Sequence, residues 1–276
     1  MTSRSAIESR WHQYKTAGWS VIGFPDKADV LACRQTIEDE LRNILENESV
    51  TLESYHEHVD DETHTRTQWA LANHVWDTDL SRRLVEGLFE AVVSFIGPGI
   101  KYQTKPFLRI ARPGRASDNI DYHRDTFYGQ SPYEATIHVP FVECDEDKAL
   151  RMVPGSHVLA EDAFDVGTGA PSDWSRGSPK HQMGFPYAPK ELVDLDEDAL
   201  VPIVLRLGEA VIFSPAIVHG QRVNNGSSTR FSIDLRVVSA DAPLDADRLK
   251  PARGYADLTR SPVSEAAEQY HAQNRD

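Results

Sequence analysis

Cysteine is scarce in this chain of 276 residues, which holds only Cys33 and Cys144. Two thiols so far apart make neither a disulfide framework nor a CxxC metal site, and reduced thiols of a cytoplasmic protein are the expectation. Positive charge is also short. Lys and Arg number 29 against 43 Asp and Glu, a formal net charge of −14. That balance argues against nucleic acid or an anionic membrane as a partner. Its plainest use is solubility, and it would also suit a cationic or neutral polar ligand. Long apolar runs are missing as well. Ala199 to Phe213 comes nearest, interrupted by Arg206, Gly208 and Glu209, so no span of a bilayer is expected. Met1 to Glu8 lacks the apolar run of a signal peptide. What is present, 40% hydrophobic and 26% charged residues, reads as a globular chain with a sizeable core. The length fits a single domain over residues 1–276.

Apolar spacing organises that domain. Ile7, Trp11 and Tyr14 predict a helix over 4–18, and Trp19 to Phe24 a short strand. A second helix opens after Pro25-Asp26, with Asp26 as its cap and Val30, Leu31, Cys33, Ile37, Leu41 and Ile44 on one stripe. Residues 52–66 are polar and read as a solvated loop or a lid. His56 and His58 within them invite a metal reading, but nothing apolar packs beside them. Residues 78–96 predict one further helix, stopped by Gly97-Pro98-Gly99. From about residue 100 the pattern turns to short strands, among them Phe107–Ala111, Thr136–Val142, Leu150–Val153, Val201–Leu205, Ala210–Phe213 and Arg230–Val238. Residues 160–190 lack periodicity and read as an insertion or lid. The chain thus divides into a helical cover over 1–99, a strand core over 100–240 and a polar tail over 241–276 that ends in a short helix. The expected fold is mainly β: a double-stranded β-helix, or jelly roll, of cupin-like form with N-terminal and flanking helices.

The chemistry centres on Asp121-Tyr122-His123-Arg124-Asp125. On a strand, residues i and i+2 share a face, which sets the His123 imidazole beside the Asp125 carboxylate. A redox metal needs a third ligand, and His219 in Val218-His219-Gly220 is the candidate. Two histidines and one carboxylate make the facial triad of non-haem Fe(II) oxygenases, with the opposite face open. Arg230 to Val238 alternates, so that Arg230, Ser232, Asp234 and Arg236 share one face and Phe231, Ile233, Leu235 and Val237 the other.

In sequence order, His123-x-Asp125, Met152-Val153-Pro154-Gly155-Ser156-His157, Gly208-Glu209-Ala210-Val211-Ile212-Phe213, His219-Gly220 and Arg230 resemble the Fe(II)/2-oxoglutarate dioxygenases of the phytanoyl-CoA hydroxylase-like group. The resemblance covers roughly residues 10–240. It implies Fe(II) on His123, Asp125 and His219, with 2-oxoglutarate and O2 as cosubstrates. It also implies Arg230 as the partner of the distal carboxylate of 2-oxoglutarate, for which the planar guanidinium is suited. Ser232, on the same face, could add a hydrogen bond, and Thr136, His138, Gln103 and Arg109 are further candidate cosubstrate contacts. Pro154 to His157 resembles a structural turn, so His157 is not taken as a ligand. Related halogenases carry a small residue in place of the metal-binding aspartate, so Asp125 implies oxygenation rather than halogenation.

Substrate contacts are sought at the rim, where Arg124, Phe127 and Tyr128 follow the ligands and Trp174 lies in the insertion. Aromatic faces with scattered carboxylates suit sugars and amines, and no basic cluster suggests a coenzyme A tail. The His-Arg-Asp-Thr-Phe-Tyr stretch is similar to that of bacterial oxygenases that tailor carbohydrate and aminoglycoside antibiotics, including orthoester-forming ones. The resemblance implies hydrogen abstraction from a small polar metabolite, ending in hydroxylation or in ring or orthoester closure. Two other readings use the same ligands: a cupin-type zinc or manganese hydrolase or isomerase without 2-oxoglutarate, and a non-catalytic binding protein.

Overall fold

The computed structural model describes residues 4–168, 190–192, 195–243 and 254–274. Its centre is a seven-stranded sheet, and every strand pairing within it is antiparallel. The strands are β1 (Trp19–Gly23), β2 (Ile100–Gln103), β3 (Phe107–Ala111), β4 (Glu134–Pro140), β9 (Glu209–Phe213), β11 (Arg230–Ser239) and β12 (Tyr255–Thr259). They run β1-β9-β4-β11-β2-β12 across the sheet, with β3 paired to the first half of β11. A three-stranded sheet is ordered β10 (His219–Gly220), β5 (Leu150–Met152), β8 (Val201–Ile203). A further pair joins β6 (Val166–Thr168) to β7 (Lys190–Leu192).

Strand β11 explains the layering. Phe231, Ile233, Leu235 and Val237 are all fully buried, each contributing about 1.5–3 kcal/mol from burial. Its alternate side chains, Arg230, Ser232 and Arg236, are buried too. Its polar face turns toward the smaller sheet and its apolar face toward the helices. Helix α3 (Asp61–Asp77) covers β3, where Gln68 donates to the Leu108 carbonyl at 3.2 Å and Trp76 to the Pro106 carbonyl at 2.9 Å. Tyr55 meets Phe231 edge-on at 5.4 Å. Helices α1 (Arg4–Ala17) and α2 (Lys27–Leu45) form where the apolar spacing predicts, but Trp11 and Leu31, expected on their stripes, are exposed. The Asp26 carboxylate caps α2 by accepting from Ala28 N at 2.8 Å.

Several expectations need correction. The polar stretch at 52–66 is not one loop, because α3 begins at Asp61. Asp60 caps it through Thr63 N at 2.8 Å, and His64, Thr67, Gln68, Leu71 and Val75 form its buried stripe. Polar residues on that stripe hid its helical period. The single helix expected over 78–96 is two, α4 (Leu80–Gly87) and α5 (Phe89–Ile96). They part beside Gly87, which packs so close to Phe24 that a Cβ there would lie 3.0 Å from its ring. The polar tail contributes β12 to the large sheet, followed by helix α6 (Pro262–Gln273). The insertion at 160–190 falls largely outside the described residues.

Candidate metal centre

His123 and Asp125 do not lie on a regular strand. His123 forms an isolated bridge with His219, closed by reciprocal backbone bonds of 2.9 Å in each direction. Asp125 begins a short 3-10 turn, Asp125–Tyr128. The bridge therefore extends the small sheet by one segment beyond β10 and sets the two histidines directly opposite each other. Their rings lie 4.5 Å apart. Gly220 allows this approach, since a Cβ there would sit 2.8 Å from Tyr122 Cα.

Each imidazole is oriented by its own backbone. Nδ1 of His123 lies 2.7 Å from the Asp121 carbonyl, and Nδ1 of His219 lies 3.0 Å from the Ile217 carbonyl. A carbonyl only accepts, so Nδ1 carries the proton in both rings and each Nε2 presents a lone pair. Those Nε2 atoms lie 3.6 and 4.0 Å from Asp125 Oδ1. The three donor atoms fall within 4.8 Å of one another, the one such grouping of three or more among the described residues. One ion bonded at about 2 Å to each ligand fits their centre with a small contraction. Burial, then the charge of His123, push the His219 pKa down to about 4. Burial alone would raise the Asp125 carboxyl, but the Arg236 guanidinium and the two histidines hold it well below the usual carboxylate range. Neutral imidazoles and an ionised carboxylate are the forms that bind a divalent metal.

A cavity opens over these atoms between the two sheets. Phe107, Arg109, Thr136, Phe213, Asp234 and Arg236 line it from the large sheet. Ile120, Leu150, Gly220 and Gln221 line it from the other side. Along the polar face of β11, Arg236 and Asp234 form part of the cavity wall, and Ser232 and Arg230 are buried beyond it. Arg230 donates through Nη1 to the Lys148 carbonyl at 3.1 Å. Its Nε and the Ser232 hydroxyl are buried without a hydrogen-bond partner. Arg230 also has no carboxylate partner among the described residues. Unsatisfied donors at a buried cation fit an anionic guest such as the distal carboxylate of 2-oxoglutarate.

The other residues singled out in the sequence are placed as follows. Thr136 lines the cavity, but its hydroxyl donates to Asp125 Oδ2 at 3.2 Å. Arg109 lines it and pairs with Asp234 at 2.9 Å, and His138 holds the other Asp234 oxygen at 2.7 Å. Gln103 is on β2 opposite Tyr255, away from the cavity wall, with Oε1 buried and unpartnered. Arg124, Phe127 and Tyr128 do not line the cavity. Arg124 is fully buried, donates to the Ser156 and Leu159 carbonyls and lies 4.3 Å from the Phe164 ring. It ties the ligand segment to the following loop. The Tyr128 ring lies 5.7 Å from that of His123. Trp174 lies outside the described residues. Sequence reasoning assigned no role to Asp234, Arg236, Phe213 or Gln221. The alternation of β11 had placed Asp234 and Arg236 on the face of Arg230, and Gln221 follows His219 by two residues, the signals from which three of them could have been found.

Comparison with solved structures gives the same architecture. The non-haem monooxygenase ThoJ in its apo form aligns over 95% of this chain and 93% of that one, with 17% identity and a TM-score of 0.55. EvdO2 from Micromonospora carbonacea var. aurantiaca, solved with 2-oxoglutarate, aligns over 89% of this chain and 96% of that one, with 14% identity and a TM-score of 0.51. At such identities the likeness establishes fold alone. No curated protein matches the sequence. The phytanoyl-CoA dioxygenase (PhyH) model matches residues 20–232, a span that includes the His-Asp-His cluster and Arg230. The chain belongs to that family of non-haem iron(II) enzymes, which use 2-oxoglutarate and O2 as cosubstrates.

Proposed function

We propose that this protein oxidises a small polar natural-product metabolite, a sugar or an aminoglycoside, at a single iron held by His123, Asp125 and His219. The observation that carries the reading is the pairing of a buried His-Asp-His cluster with a buried guanidinium, Arg230, whose Nε lacks a partner. Arg230 and Ser232 receive the distal carboxylate of 2-oxoglutarate, with the Arg109–Asp234–His138 network closing that side of the chamber. Iron bound there supplies oxidising power from O2, with one 2-oxoglutarate consumed to succinate and CO2 per substrate oxidised. The chain's residues then decide the outcome. The apolar walls from Phe107, Ile120, Leu150 and Phe213 exclude water, and the Gln221 amide and the cavity mouth orient the carbon that loses hydrogen. Position over the metal selects hydroxylation or ring closure.

The two facing sheets act in this reading as a jelly roll, and residues 1–276 as one domain. The net charge of −14 favours a cationic aminoglycoside at the mouth. Two buried free thiols, Cys33 and Cys144, accord with a cytoplasmic location, and no helix among the described residues is long and apolar enough to cross a membrane. The test is an anaerobic titration with Fe(II) and then 2-oxoglutarate, following the visible charge-transfer band of the chelated keto acid. The band is expected in the parent, absent in Asp125→Ala, and shifted to much higher cosubstrate concentration in Arg230→Ala. Iron binding with no band in the parent would overturn the cosubstrate assignment and favour a cupin-type hydrolase or isomerase.

A further inference from the structure

The Asp125 carboxylate is held at one oxygen and open at the other. Oδ2 accepts from Arg236 Nη2 at 3.0 Å and from Thr136 Oγ1 at 3.2 Å. Oδ1 is the oxygen nearest both His123 Nε2 and His219 Nε2, at 3.6 and 4.0 Å. Both donors come from facing positions on the large sheet, since Arg236 on β11 is directly paired with Thr136 on β4. Arg236 is 7% exposed and Thr136 2%, so neither bond competes with bulk water. The Arg236 guanidinium is itself held over the Phe107 ring at 5.3 Å, a ring that also carries Arg109 at 5.1 Å. A buried cation placed this way cannot leave its carboxylate without an uncompensated charge.

We propose that Arg236, seconded by Thr136, is a positioning residue that restricts Asp125 to one-oxygen coordination of the metal. The inference rests on the assignment of His123, Asp125 and His219 as ligands. Its chemical logic is a count of positions. An octahedral ion offers six. Two imidazoles and one carboxylate oxygen leave three, enough for the two donor atoms of 2-oxoglutarate and one for O2. A carboxylate binding through both oxygens leaves two, which 2-oxoglutarate fills, so that no position remains for O2. The Arg236 and Thr136 donors prevent this by occupying Oδ2, and they leave the carboxylate ionised and aimed.

The test uses the Co(II)-loaded protein, in which cosubstrate binds without turnover. A crystal structure should show one Asp125 oxygen on cobalt in the parent and two in Arg236→Met. With 2-oxoglutarate also bound, one water should remain on cobalt in the parent and none in Arg236→Met, while calorimetric titration should show cobalt still bound by that variant. Arg236→Lys, whose ammonium still donates to Oδ2, should restore one-oxygen coordination and the water. One-oxygen coordination with that water retained in Arg236→Met would overturn the proposal. Should that variant fail to fold, Thr136→Val decides, because it removes one donor without emptying the site. Partial occupancy of that water, from mixed one- and two-oxygen coordination, is expected there, and full occupancy overturns the proposal. Asp125→Ala, titrated in parallel, separates the two levels. Retained parental cobalt affinity in Asp125→Ala would defeat the ligand assignment itself, whereas loss there with a parental Arg236→Met would defeat this inference alone.

Discussion

His219 shows how a single residue's surroundings set the chemistry available to it. Its Nδ1 proton is committed to the Ile217 carbonyl, and burial with the nearby His123 charge lowers its pKa from 6.5 to about 4. In the unfolded chain it would take up a proton near the ordinary value, so between those limits the unfolded state binds more protons than the folded one. Stability of the metal-free protein should therefore fall as pH drops from 6.5 toward 4, by on the order of 2–3 kcal/mol. Urea unfolding at the two ends of that window measures it. The slope should flatten in His219→Gln, and an unchanged slope there would assign the effect to other groups. The His-Asp-His cluster was legible in the sequence because iron chemistry restricts residue types and their order constrains the rest. The alternation of β11 marked the face of Arg236 but not its partner, because the pairing joins a strand to the turn that begins at Asp125, a contact that only folding creates.

Elements transmit the same constraint. His219 and Gly220 make up the whole of β10, and the strand works because Gly220 admits the Tyr122 backbone. Gly220→Ala would place a Cβ 2.8 Å from Tyr122 Cα, which must move and carry His123 with it. Loss of roughly tenfold or more in Co(II) affinity is expected, with far-UV circular dichroism unchanged. Cobalt binding at the parental level would show that the bridge tolerates the shift. Strand β11 was read correctly as an alternation, and the sequence even separated its two faces. Its polar face could equally have met solvent, and only the second sheet makes that face interior. Helix α3 was missed for the converse reason: His64, Thr67 and Gln68 are buried polar residues on its core stripe, and a search for apolar period passes over them.

At the scale of the molecule, those polar residues join the helical layer to the loop that leads into the metal site. Asp118 accepts from Arg112 N, Nε and Nη2 at 2.8–3.0 Å, and Arg112 reaches Asp61 on α3 at 2.9 Å. His64 lies 3.5 Å from the same carboxylate and 3.1 Å from the Tyr55 hydroxyl. Asp118→Ala would leave the nearly fully buried Arg112 guanidinium with the exposed Asp61 carboxylate alone, and should cost about 3 kcal/mol in chemical denaturation. Joint replacement of Arg112 and Asp118 by apolar residues should cost less, and an equal cost would mean the pair's charge balance is not what stabilises the loop. None of this network was visible in sequence, since its members are scattered from Tyr55 to Asp118 and share no motif.

The ligands are also divided between the two sheets. His123 and His219 belong to the rim of the small sheet, whereas Asp125 is fastened through Arg236 and Thr136 to the large one. An ion held there would sit on a seam, with its two imidazoles on a two-residue edge. Its exchange is then expected to follow the breathing of that rim rather than any opening of the hydrophobic interior.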